Sequence, residues 1–193
     1  MGSWGTTHNA VDNKPKYLTD TEKVGCYADL TGWTVAAGGN GNPNAQRETL
    51  VAIGDLAGTS STTGLRSATV TSVRFKPGTT ATTDHTAGGG ATVTIEITWD
   101  EAVTVTGNPV MKVVNSGGGT HDCAYTATGS TSNTKVFTVT GQTLAAGNVL
   151  SIGTALHDAI TLAGGTIKDT ASGTVDSARG LAAGVRKTHT VVA

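Results

Sequence analysis

Ala91-Thr92-Val93-Thr94-Ile95-Glu96-Ile97-Thr98-Trp99-Asp100 alternates apolar and polar residues without a break. Successive side chains of a strand point to opposite faces. Val93, Ile95, Ile97 and Trp99 therefore share one face, and Thr92, Thr94, Glu96, Thr98 and Asp100 share the other. The first face belongs in a core and the second in water, the pattern of an antiparallel strand covered on one side. Burying such a face contributes about 1.5–3 kcal/mol for each large side chain.

A short strand-like run precedes this stretch at 69–76, and others follow at 102–106, 109–115, 122–128, 135–140, 148–152, 159–162 and 184–192. Turn-forming residues separate them: Pro77-Gly78, Gly107-Asn108-Pro109, Ser116 to Gly119, Gly129-Ser130, Gly147-Asn148 and Gly164-Gly165. Many short strands divided by such turns predict an all-β, antiparallel sandwich. The strand-then-helix rhythm of an α/β enzyme is missing. Composition agrees: threonine is the commonest residue, glycine occurs 27 times and aromatics make up 4%. Threonine favours strands, and both threonine and glycine are poor helix formers.

Charged residues are only 14% of the chain and the formal net charge is −1. That offers no basic footprint for nucleic acid and no basic helix for a membrane surface. No apolar run reaches the ~20 residues of a membrane-spanning helix. Met1-Gly2-Ser3-Trp4 lacks the basic start and apolar core of a signal peptide, so synthesis in a cytoplasm without export is expected. Cys26 and Cys123 are then expected to be reduced and to act as small buried residues, although their number permits a disulfide.

The segment 1–58 differs from the rest. It holds Trp4, Tyr17, Tyr27 and Trp33, half of the chain's aromatic residues. Residues 59–66 are small and polar and read as a linker to a sandwich over 67–193. Thr19-Asp20-Thr21-Glu22 fits a capping box and predicts a short helix over about 20–30, stopped by Gly32. Residues 48–54 predict one strand. The run Gly38-Gly39-Asn40-Gly41-Asn42-Pro43-Asn44 must turn. So few apolar groups can hardly bury a core alone, and the segment should pack on the following domain, another copy or a different protein. Trp4, Tyr17, Tyr27 and Trp33 supply the area that dominates interfaces, and with Asn40, Asn42 and Asn44 they are the candidate interaction residues.

Catalytic and metal sites are not expected. His121 and Cys123 share a strand face, but no second pair stands at metal spacing. His157-Asp158 reads as a loop dyad without a nucleophile. Asp100-Glu101 reads as a strand-end turn rather than an acid/base pair; a glycan hydrolase would need two carboxylates converging in a cleft. The glycine run at 38–41 lacks the Lys-Ser/Thr ending of a phosphate loop. Thr-x-Thr at 69–71, 92–94, 104–106, 126–128 and 138–140 reads as β-propensity on solvent faces.

Two resemblances carry a functional expectation. Residues 95–115, with Trp99-Asp100-Glu101-Ala102-Val103-Thr104-Val105-Thr106-Gly107 at their centre, resemble the bacterial immunoglobulin-like repeats of large cyanobacterial surface proteins. Trp99-Asp100-Glu101 stands where Phe-Ser-Glu is usual. Cys123 to Gly129, Lys135 to Val139 and Leu162 to Asp169 follow in the family's order. The resemblance covers about residues 67–175 and implies an immunoglobulin-like sandwich. Residues 1–54, through Trp4-Gly5-Thr6-Thr7, Asn13-Lys14-Pro15-Lys16, Gly32-Trp33 and Gly41 to Gln46, resemble the opening of structural proteins of marine tailed phages, especially those infecting cyanobacteria. Together they imply a non-enzymatic virion protein with an N-terminal anchor, a capsid decoration protein first and a tail, neck or fibre adhesin second. The implied partners are the major capsid protein or other virion proteins, sister copies, and host surface polysaccharide. No cofactor, nucleic acid or membrane is expected.

Overall fold

The computed structural model describes residues 14–39, 42–57, 68–76, 87–152, 159–171, 179 and 188–192. Helix α1 spans Asp20–Gly25 and opens with the expected capping box. The Thr19 N–H donates to Glu22 Oε2 at 2.8 Å, and the Glu22 N–H donates back to Thr19 Oγ1 at 3.4 Å. The helix is shorter than the predicted 20–30, because the chain turns extended at Cys26. No residue of α1 is buried. A longer helix would forfeit the hairpin that follows, β1 (Cys26–Asp29) and β2 (Gly32–Val35), which buries Cys26, Ala28, Trp33 and Val35.

Asp29 shapes that hairpin turn by accepting from the Thr31 N–H at 2.7 Å and the Gly32 N–H at 3.1 Å. Gly32 ends no helix; it lets the next strand pass. Its φ is +133°, and a Cβ there would stand 2.0 Å from the Val51 carbonyl oxygen. Strand β3 (Glu48–Ala52) pairs with β2 across that contact. Leu56 and Ala57 close a small core over Trp33.

The second body carries β4 (Val70–Phe75), β5 (Gly88–Trp99), β6 (Val103–Thr106), β7 (Val110–Asn115) and β8 (Thr120–Thr126). It continues with β9 (Thr134–Leu144), β10 (Val149–Ile152), β11 (Ile160–Thr161), β12 (Thr166–Asp169) and β13 (Thr188–Thr190). The antiparallel sandwich is built unevenly. One sheet runs β13-β10-β7-β8-β9-β5-β4 with β11 also on β7, and β12 and β6 form a two-stranded ribbon. Both contribute to one core: Val93, Ile95, Ile97 and Trp99 from β5 meet Val103 of β6, Ile167 of β12 and Val191 beyond β13. The second face of β5, expected in water, is buried too, with Thr94 at 9%, Glu96 at 6% and Thr98 at 3% exposure. Strand β5 lies between β4 and β9, so neighbouring side chains cover it. Thr94 and Thr98 pair through their hydroxyls with Thr138 and Thr134, at 3.0 and 3.1 Å. Glu96 is held by Arg74 and by Lys76, the latter at 2.9 Å.

The leading segment packs on these strands. The Ala28 N–H donates to the Asp100 carbonyl at 2.6 Å, and Ala28 forms a parallel bridge with Glu101. Lys14 is buried between the two bodies: its ammonium sits 5.8 Å from the Trp33 ring centroid, donates to the Lys23 carbonyl and feels the charge of Asp100.

Candidate interaction surfaces and a buried carboxyl pair

The proposed anchor residues do not form one surface. Trp33 is fully buried and Tyr27 is 2% exposed, so both are spent inside the chain and neither can meet a partner. Trp33 fills the small core. Tyr27 projects from the opposite face of β1 and is covered by the sandwich end, where it lines a cavity with Glu101, Ala102, Ser132 and Asp169. Tyr17 stands in the turn before α1 and is 68% exposed. Trp4 and Asn40 lie outside the described residues. Asn42 and Asn44 are exposed. Their loop closes on itself, with the Asn44 N–H on Asn42 Oδ1 at 3.0 Å and the Gly38 N–H on the Ala45 carbonyl at 3.0 Å.

Two concave surfaces flank the junction of the bodies. A groove of about 880 Å³ runs between α1 with the Gly38-Gly39 turn and the β4–β5–β9 face. Its floor is polar: Ser72, Arg74, Lys76, Glu96, Thr98 and Asn133. The second cavity, of about 450 Å³, is lined by Tyr27, Asp29, Leu30, Arg47, Glu101 and Asp169 among others. Arg47 reaches Asp29 at 2.6 Å. Burial works against the charge of Asp29, but bonds from Thr31 and the nearby guanidinium outweigh it and hold the carboxyl below its usual range.

The Asp100-Glu101 turn carries more than its sequence suggested. Both side chains are 1% exposed and they face different neighbours. Asp100 accepts from the Thr69 N–H and hydroxyl, each at 2.6 Å, and ties the start of β4 to the end of β5. Burial nevertheless raises its pKa. No N–H or hydroxyl among the described residues donates to either Glu101 oxygen. Its polar neighbour is a second carboxyl, Asp169 of β12, itself 2% exposed. Burial, then the like charges of Asp169 and Asp100, push the Glu101 carboxyl up to about 9. Sequence reading missed this pair because β12 lies far along the chain. Its pairing with β6 alone, Asp169 opposite Val103, carries it to Glu101.

Of the other flagged residues, His121 and Cys123 are taken up by the fold. His121 and Cys123 do share the inner face of β8, but His121 is held by Asn115 at 3.2 Å and Gln142 at 2.7 Å. Cys123 lies in the core, and both cysteines are free thiols. His157-Asp158 falls outside the described residues. The fold and these surfaces define an all-β sandwich protein with a small leading module sealed against one end. No family model matches the chain, and neither a curated protein nor a solved structure matches it.

Proposed function

We propose that the chain is a structural protein of a tailed-phage virion, made in the host cytoplasm and seated on the head surface as a decoration protein. The reading rests on the two resemblances and on one structural observation, the division of labour between the bodies. The sandwich closes its own core. Among the described residues the leading module exposes the two most accessible large apolar side chains, Tyr17 at 68% and Leu30 at 57%, against Val192 at 55% and Val114 at 37% on the sandwich. Tyrosine is enriched among the residues that anchor interfaces, and an exposed leucine adds apolar area to bury, so these two replace Tyr27 and Trp33 as the docking residues. The partner is the major capsid protein or a neighbouring copy.

Purified protein mixed with capsids that lack it is expected to bind at fixed stoichiometry. Tyr17→Ala with Leu30→Ala should weaken binding at least tenfold at unchanged melting temperature. Finding the protein at the tail in a few copies, with no capsid binding, would overturn the head assignment. The second reading, an adhesin touching host polysaccharide, is favoured by the groove. Its hydroxyl, amide and charged groups suit sugar hydroxyls, and Arg74→Ala should then abolish glycan retention. Hydrolysis is a weaker use of the carboxyl pair, because the Glu101 oxygens are closed to solvent and so to a sugar.

A further inference from the structure

We propose that Glu101 and Asp169 hold a calcium ion at the seam between the leading module and the sandwich. Glu101 has a second carboxyl, Asp169, as its side-chain hydrogen-bonding neighbour and no donor among the described residues. Glu101 is 1% exposed and neither of its oxygens receives a hydrogen bond from an N–H or hydroxyl of the described residues. A carboxylate buried without donors costs several kcal/mol unless something neutralises it. Its neighbour makes this worse, since Asp169 is a second buried carboxyl. One Asp169 oxygen already accepts from the Ala171 N–H at 2.7 Å, which fixes the side chain in place. The cations nearby are committed: Arg47 to Asp29 at 2.6 Å, and Lys14 to the Lys23 carbonyl.

The donor set selects the class of cation. Among the described residues, the polar side chains of the cavity besides Arg47 present only oxygen: Tyr27, Asp29, Thr31, Glu101, Ser132, Asp169 and Thr170. Oxygen ligands without nitrogen or sulfur suit a hard cation. Calcium takes six to eight oxygens in adaptable geometry and accepts carbonyls and water beside carboxylates, whereas magnesium demands a near-ideal octahedron. Among the described residues no three acidic, histidine or cysteine side chains gather as a metal cluster. The site therefore offers two carboxylates, with hydroxyls, carbonyls and water completing the shell. Two carboxylates place the affinity with the weak extracellular modules, at a Kd of about 10⁻⁴–10⁻³ M. A bound ion would link β1, the end of β5 and β12, through Ala28's bridge to Glu101.

The test uses the full chain, melted in chelator, in calcium and in magnesium at equal ionic strength. About 10 mM calcium is expected to raise the melting temperature by about 3–6 °C, and magnesium by much less. Glu101→Gln and Asp169→Asn should each remove the calcium shift. Tyr27 lines the cavity, so terbium should show tyrosine-sensitised emission that calcium competes away and Tyr27→Phe removes. The terbium readout decides the matter if a carboxyl variant does not fold. An absent calcium shift, an equal shift with magnesium, or a shift kept by Glu101→Gln would overturn the site. In that case a shared proton neutralises the pair instead.

Discussion

At the scale of single residues, the aromatic side chains of the leading segment separate by what surrounds them. Trp33 fills a core and Tyr17 faces water. Trp33→Ala is expected to cost about 3–5 kcal/mol in denaturant unfolding, the range for emptying a packed aromatic site. A docking residue would show almost no change in that measurement and a loss of binding instead. Glu101 supplies a second prediction, in pH. Its folded pKa, up to about 9, lies above the ordinary glutamate value of 4.5. The folded state then holds a proton that the unfolded chain has released. Stability must fall as pH rises from about 4.5 to about 9, and the contribution is whole only at the acid end. Lys14 and Lys135 act oppositely: burial brings both down to about 8, so their term rises with pH between about 8 and 10.5. Urea unfolding in chelator between about pH 5 and 7.5 separates the raised carboxyls, Glu101 and Asp100, from the two lysines, and the Glu101→Gln comparison singles out Glu101. There Glu101→Gln should be more stable than the parent at the upper end and should show a flatter slope. A parent slope unchanged by the substitution would place the titrating group elsewhere.

At the scale of elements, the β6–β12 ribbon depends on a contact between backbones. A Cβ on Gly165 would stand 2.3 Å from the Thr106 carbonyl oxygen and 3.3 Å from the Gly107 Cα. The ribbon's side chains are otherwise well paired, with the Thr106 and Thr166 hydroxyls 2.6 Å apart. Gly165→Ala is therefore expected to cost about 1–3 kcal/mol by forcing the two strands apart, measurable as a lower urea midpoint. Which elements could be read from sequence follows from their length and alternation. Strand β5 repeats its pattern through Val93, Ile95, Ile97 and Trp99, and strands β7 to β10 alternate enough to be found within a few residues. Strands β1 and β2 were hidden. Each has four residues buried on both faces or nearly so, which removes the alternation. The capping box at Thr19 correctly starts a helix but says nothing of where it ends. Strand β12 has four residues and one apolar side chain, Ile167, too little to mark it as a strand. Asp169 lies on that strand, so the carboxyl pair was illegible for the same reason.

At the scale of the whole molecule, the question is whether two cores make two folding units. The leading core is small, built on Cys26, Ala28, Trp33, Val35, Leu56 and Ala57. A body of that size has too little buried area to be stable by itself. Its seam with the sandwich is buried and specific. The Ala28 N–H reaches the Asp100 carbonyl, Lys14 is 2% exposed between them, and Tyr27 is covered from the sandwich side. Opening the seam would strand those groups in partial contact with water while freeing little chain entropy. The two bodies should therefore melt in one transition. Trp33 and Trp99 report the two cores separately, being fully buried in the small core and in the sandwich. Single Trp33→Phe and Trp99→Phe chains, each also carrying Trp4→Phe, should give fluorescence unfolding curves that match circular dichroism in shape and cooperativity. Each midpoint must coincide with the dichroism midpoint of the same chain. An early transition seen by Trp33 alone, in the chain lacking Trp99, would mean that the module detaches before the sandwich opens. The seam would then be a hinge, and a calcium effect on that early transition alone would locate the ion's work there.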